Sequence, residues 1–298
     1  MSQILKNVML VGAGGNLGTH VLQSLLDAKF NVSVMSRASS KATFPENVRV
    51  YKTDYSESSL ISALEGHDAV VSTISGSGLK EQQKIIDAAI LAGVKRFIPS
   101  EYGIDVCHPK AMEVVPFFNQ KQQINAYLRS KESQGLTWTS VATGPFLDWG
   151  LWAGLFGFDL KNRSATFVDK GTQPFSTTIL PTVGRAIASV LTNASDTENK
   201  RIFVHSFRTT QKQILEILEK QTGTPWKVRH VPADEMISAG RQKMSSGQGG
   251  VFELLQAAMF KGGCGSDFET EFEVHNQLLG LRPDNLEESI ASILSLSK

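Results

Sequence analysis

The run Asn7 to Leu26, NVMLVGAGGNLGTHVLQSLL, constrains this chain more than any other stretch. Val8, Met9, Leu10 and Val11 are consecutive apolar residues, the pattern of a strand buried on both faces of a parallel sheet. Gly12, Gly14, Gly15 and Gly18 follow, and Leu17, Val21, Leu22, Leu25 and Leu26 then recur at helical spacing. Strand, glycine turn and helix in that order give a glycine motif a physical meaning. Gly12 permits the tight turn, Gly15 lets backbone approach a pyrophosphate, and Gly18 lets helix pack on strand. The N–H groups at the helix start, around Asn16 and Leu17, then face the phosphates, helped by the helix dipole. The spacing reads G-x-x-G-x-x-G, because Leu17 stands where the shorter G-x-G-x-x-G pattern needs its third glycine.

Apolar runs alternate with helical patterns through the first half. Asn31 to Met35, Val48 to Tyr51, Ala69 to Ser72, Arg96 to Pro99 and Trp138 to Val141 read as strands. Ser56 to Leu64, Gly78 to Ala92 and Asn119 to Gln134 read as helices. This alternation predicts an α/β fold with a doubly wound parallel sheet and right-handed crossovers. Residues 146–176 are aromatic and carry glycines with little period. Pro181 to Leu191 returns to a helix and Arg201 to His205 to a strand that rejoins the sheet. From Thr209 helices dominate, interrupted at Ser245 to Gly250 and Gly262 to Gly265. The expected division is a nucleotide-binding part over 1–145 and 178–205, with a smaller, interleaved substrate region over 146–177 and 206–298.

The 298 residues can bury a sizeable core, and a net charge of +1 gives no reason to expect nucleic acid or an anionic membrane as partner. No apolar run approaches a membrane span, and the first apolar stretch runs straight into the glycine turn, as a strand and not a signal peptide. Cys107 and Cys264 form no C-x-x-C pair and fit a reducing compartment, so a cytoplasmic location is expected. The N-x-S triplets at Asn31, Asn162 and Asn193 are then chance matches. The six histidines show no metal-ligand spacing, and no metal is expected.

In this fold the end of the second strand meets the adenosine ribose. An acidic residue there suits the 2′-hydroxyl of NAD, and an arginine suits the 2′-phosphate of NADP. Here the strand ends in Ser36-Arg37, and Lys41 follows. Two cations beside a phosphate offer charge-assisted hydrogen bonds, so NADPH is the expected cofactor. Asp54, just past the third strand, could receive the adenine amino group or simply be a turn residue. Thr73, Ile74 and Ser75 close the fourth strand on the side where such sheets bind ligands.

A Tyr-x-x-x-Lys pair would place an acid–base tyrosine at residue 117, but Phe117 precedes Lys121 there. What remains is RFIPSEYG (Arg96 to Gly103), KQQINAYL from Lys121, and TSVATGPFLDW (Thr139 to Trp149). With GAGGNLG and Arg37, this ordered set resembles the isoflavone reductase-like, NmrA-like branch of atypical short-chain dehydrogenases. The resemblance covers most of residues 1 to about 205. It implies an NADPH-dependent reductase of phenylpropanoid-like or related metabolites, with Lys121 as the acid–base group. The family's usual arginine four residues on is Asn125 here, which inherits no role. Ser100 and Tyr102 are candidates to assist, while Tyr127 is expected to pack. Thr143, Gly144 and Phe146 fall where the family lines the nicotinamide face.

Chemically, a lysine in a partly apolar pocket loses hold on its proton and can protonate an electrophile as hydride arrives. Phe146, Trp149, Trp152, Phe156 and Phe158 concentrate aromatic surface after the sixth strand, divided between core and one wall of a substrate pocket. Tyr102, Phe146, Trp149 and Trp152 are the substrate-contact candidates. The expected partner is a small enone, ketone, imine or quinone methide. Two other readings stay open: a non-catalytic NADP-binding redox sensor, as some NmrA-like proteins are, and an isomerase or lyase keeping the nucleotide as scaffold. Retention of Lys121 favours the enzyme.

Overall fold

The computed structural model describes residues 5–295. β1 (Asn7–Val11) leads through the glycine turn into α1 (Asn16–Asp27), followed by β2 (Asn31–Arg37), β3 (Arg49–Thr53) and α2 (Glu57–Leu64). Next come β4 (Ala69–Ser72), α3 (Gln82–Leu91), β5 (Arg96–Ile98), α4 (Pro109–Val114), α5 (Phe118–Ser130) and β6 (Thr137–Ala142). Then follow α6 (Leu147–Trp152), β7 (Phe158–Asp159), β8 (Ser164–Val168), β9 (Phe175–Thr177), α7 (Leu180–Thr192) and β10 (Lys200–Phe203). The chain continues through β11 (Phe207–Thr209), α8 (Gln211–Thr222), β12 (Lys227–Val231) and α9 (Ala233–Ser245). It closes with α10 (Val251–Phe260), α11 (Phe268–Glu271) and α12 (Leu286–Ser295).

The central sheet has seven parallel strands in the order β10-β6-β5-β4-β1-β2-β3. Its arrangement follows from β1. Successive side chains on a strand point to opposite faces. Val8 and Leu10 pack with Leu17, Val21 and Leu25 of α1 and with Val183 and Ile187 of α7. Met9 and Val11 pack with Leu60 and Leu64 of α2 and Ile85 and Ile86 of α3. All four strand residues are fully buried. Each such side chain contributes roughly 1.5–3 kcal/mol of burial, which explains the unbroken apolar run. The strand order changes direction between β1 and β4, and the crevice outside their carboxyl ends is where this architecture takes ligands.

The sequence expectation of a weakly periodic stretch over 146–176 resolves into α6 and three short strands. β8 pairs parallel with β12 and antiparallel with β7, while β9 pairs antiparallel with β11. β12 was not expected from a region read as helical, and β11 falls just before it in a stretch given no element. β12, KVRHV, is exposed along most of its length, so its apolar residues do not alternate with the pleat. These small sheets and α8–α10 enclose a separate core that includes Phe156, Phe158, Phe167, Phe175 and Phe260. No helix among the described residues is long and apolar enough to cross a membrane.

Candidate active site

The glycine turn is built to bring backbone close to something small. Gly12 adopts φ +89, and a Cβ there would lie 2.9 Å from the Thr73 carbonyl carbon. Both conformation and space therefore require glycine. A Cβ on Gly18 would stand 2.1 Å from the Gly12 carbonyl oxygen, so α1 can seat on the turn only without one. The Gly15 N–H donates to the Gly12 carbonyl at 3.0 Å, and no side chain caps the start of α1. The first-turn N–H groups are left facing outward, a ready anion site.

A cavity of about 480 Å³ runs from this turn to the end of β2. Gly12, Gly14, Gly15, Ser36, Arg37, Thr73, Ile74 and Ser75 line it, as do Tyr55 and Lys80, which sequence reasoning missed. The Thr73 hydroxyl donates to the Val11 carbonyl at 2.9 Å and ties β4 to β1 at the floor. Lys41 is exposed and does not line this cavity, although Arg37 does. Asp54 is also outside it. Its carboxylate accepts from the Ser56 N–H at 2.9 Å and the Ser56 hydroxyl at 2.7 Å, bonds that hold its pKa down. Glycine cradle, open helix end and Arg37 together suit a dinucleotide carrying a phosphate on its ribose.

A second cavity, about 360 Å³, shares Gly15, Thr73, Ile74 and Ser75 with the first. Asn16, Leu17, Gly76, Leu79, Ser100, Tyr102, Phe117, Lys121, Phe146 and Trp149 complete its wall. Lys121, near the start of α5, donates from Nζ to the Glu101 carbonyl and, at 3.2 Å, to the Tyr102 carbonyl. Burial pulls its pKa down to about 8, against a weaker upward pull from the Glu101 carboxylate. Tyr102 brings its ring to the cavity, but its hydroxyl donates to the Ser72 carbonyl at 3.1 Å and burial raises its pKa. The Ser100 hydroxyl donates to the Ile74 carbonyl at 2.5 Å. Lys121 and Tyr102 are the titratable side chains on this wall among the described residues.

Thr143 and Gly144 do not line either cavity. Their N–H groups donate to the Gly103 carbonyl at 3.1 and 2.9 Å, anchoring the loop that carries Glu101 and Tyr102. Trp152 is half exposed and lines a neighbouring groove, whereas Trp149 reaches the Lys121 cavity and meets Phe252 edge-on at 6.1 Å. Phe156 and Phe158 belong to the core.

Behind Lys121 lies a buried ionic cluster that sequence reading did not assemble. The Glu101 carboxylate accepts from Asn125 Nδ2 at 2.6 Å and from Arg201 Nη2 at 3.2 Å, and Arg201 also pairs with Asp105. Glu101 stood within the quoted SEYG motif and Asn125 one turn beyond Lys121, but Arg201 arrives from β10.

Residues 5–290 match the NmrA-like family. The chain belongs to that family. Oxidoreductase aprR of Aspergillus flavus is 37% identical over 292 residues, 96% of this chain and 98% of its own length. Oxidoreductase poxI of Penicillium oxalicum is 32% identical over 297 residues, 95% of this chain and 92% of its own. The solved structure of AtPrR2 with NADP+ and (+)pinoresinol matches this NmrA-like protein with a TM-score of 0.79 at 22% identity. That match covers 98% of this chain and 100% of the other, a likeness of fold.

Proposed function

We propose that this NmrA-like oxidoreductase uses NADPH to reduce a small aromatic or conjugated metabolite, with Lys121 as the proton donor. The observation that carries the reading is the Lys121 ammonium, which opens into a largely apolar cavity adjoining the glycine turn. Full-length relatives named as oxidoreductases support the enzyme over a non-catalytic sensor. Gly12, Gly14, Gly15, Asn16, Leu17 and Gly18 would hold the pyrophosphate, and Ser36 and Arg37 the phosphorylated ribose. Thr73, Ile74, Ser75, Ser100 and Phe146 would border the nicotinamide. When bound, NADPH supplies a hydride to the substrate's electrophilic carbon.

Lys121 completes the reaction by giving its Nζ proton to the oxygen, nitrogen or carbon that gains electron density, and recovers a proton from solvent. Two main-chain carbonyls fix its direction, so little reorganisation is needed as charge develops. Phe117, Phe146 and Trp149 offer flat apolar surface for an aromatic enone, ketone, imine or quinone methide. The nucleotide-binding part is assigned to 1–145 and 178–205, and the substrate region to 146–177 and 206–298. Free Cys107 and Cys264 fit a reducing compartment.

The test is NADPH oxidation with a panel of those four electrophile classes. Lys121→Ala should lower turnover by about 10²–10⁴-fold while NADPH affinity changes several-fold at most. Lys121→Arg should rescue little, because arginine holds its proton. Turnover of the unmodified chain should be full well below about pH 8 and fall as pH rises through it, since the ammonium is the working form. An unchanged rate in Lys121→Ala removes Lys121 from the mechanism.

A further inference from the structure

Lys121 is held through the backbone of a residue whose own side chain is charged and nearly sealed from water. Glu101 is 2% exposed, yet its carboxylate has two specific partners: Asn125 Nδ2 at 2.6 Å and Arg201 Nη2 at 3.2 Å. A carboxylate this buried persists as an ion only when paired and hydrogen-bonded. Asp105, 3% exposed, shares the same guanidinium. Burial works against the Arg201 charge, but these two carboxylates together outweigh it and drive its pKa upward, so its charge is fixed. The Asn125 amide must donate to Glu101, which orients it. Asn125 also sits one turn after Lys121 on α5, so Glu101 grips that helix twice: main-chain carbonyl to Lys121, carboxylate to Asn125.

We propose that Glu101 is the positioning residue of the Lys121 site, its carbonyl aiming the ammonium while its carboxylate, anchored by Asn125 and Arg201, sets the field that ammonium feels. Four formal charges meet here: Lys121 and Arg201 against Glu101 and Asp105. Tyr102 and Cys107, each with its pKa raised by burial, add none near neutrality. α5 contributes no other ionisable group within one turn of Lys121. The cluster balances with Lys121 protonated and is left with one excess negative charge once Lys121 gives up its proton. The Glu101 carboxylate therefore works against burial and favours the charged lysine. Arg201 limits that effect by screening both carboxylates. Removing Glu101 or Arg201 should thus move the Lys121 proton affinity in opposite directions.

The experiment needs no substrate and so stands apart from the turnover test of the Lys121 reading, on which only the catalytic meaning of this inference rests. Trace acetic anhydride labels neutral amines, and peptide mass spectrometry reads the Lys121 label as a function of pH in the full-length chain. NADP+ binding and circular dichroism check each variant's fold. The midpoint for the unmodified chain should lie near 8. Glu101→Gln should lower it by about one unit, and Arg201→Met should raise it by about one unit. Midpoints that stay put, or that move in the same direction, overturn the proposal. Glu101→Gln is isosteric and decides alone should Arg201→Met fail to fold.

Discussion

Lysine ordinarily keeps its proton past pH 10, which makes it a poor acid near neutrality. Here desolvation brings Lys121 to about 8, against a weaker upward pull from the Glu101 carboxylate, the range that the proposed proton donor needs. Tyr102, on the same cavity wall, illustrates the opposite case. Its hydroxyl is spent on the Ser72 carbonyl and its proton is held more tightly than in water. At the other end of the crevice, Arg37 lines the cavity and Lys41 does not. Arg37, with Lys80 as the other cation on this wall, is therefore the side chain on which the discrimination expected between NADPH and NADH rests. A charge-assisted contact worth roughly 1.5–3 kcal/mol gives NADPH at least a tenfold preference. Calorimetric titration should find that preference in the unmodified chain and lose it in Arg37→Ala. Equal affinities for the two nucleotides before mutation would place the phosphate elsewhere.

Among the elements, the β1–α1 unit separates fold from binding in a way two substitutions can expose. A Cβ on Gly15 would meet its nearest atom at 3.4 Å, ordinary contact, at an unstrained φ of −84. Gly15→Val should leave thermal stability close to normal and abolish nucleotide binding, because the added side chain fills the approach to the phosphates. Gly18→Ala should do the reverse first: its methyl would overlap the Gly12 carbonyl, costing about 1–3 kcal/mol and lowering the melting temperature. Melting curves beside NADPH titrations distinguish the two. A Gly18→Ala protein as stable as the parent would contradict the packing described.

These elements were legible because Val8 to Val11 and the periodic leucines of α1 each answer to one local rule. β11 and β12 were not, since a three-residue strand and an exposed edge leave no apolar rhythm. Asp54 had the right place in the chain but a local partner, Ser56, that composition does not reveal. The pairing of Glu101 with Arg201 spans a hundred residues of sequence and exists only once β10 lies beside β6.

Taken whole, the molecule sets a parallel sheet and its helices, among them α5 with Lys121, beside a second layer with its own aromatic core. Trp149 joins them, reaching the Lys121 cavity from α6 and touching Phe252 of α10. On the proposed reading, in which the Lys121 cavity takes the substrate, Trp149→Ala should raise the KM for an aromatic substrate several-fold while NADPH affinity holds, because it removes stacking surface from that cavity. Steady-state kinetics with a reactive aromatic electrophile would show it. A KM unchanged in the variant would assign Trp149 to packing.

The late arrival of β10 has a temporal consequence. Six of the seven sheet strands are complete by Ala142, and the glycine turn far earlier. Domains fold as units, and α7, which covers Val8 and Leu10, and β10, which bears Arg201, are the parts of this layer translated after Ala142. Until that edge strand docks, Glu101 and Asp105 lack their counterion, so the ionic setting of Lys121 waits on a strand that the chain supplies a hundred residues downstream of Glu101.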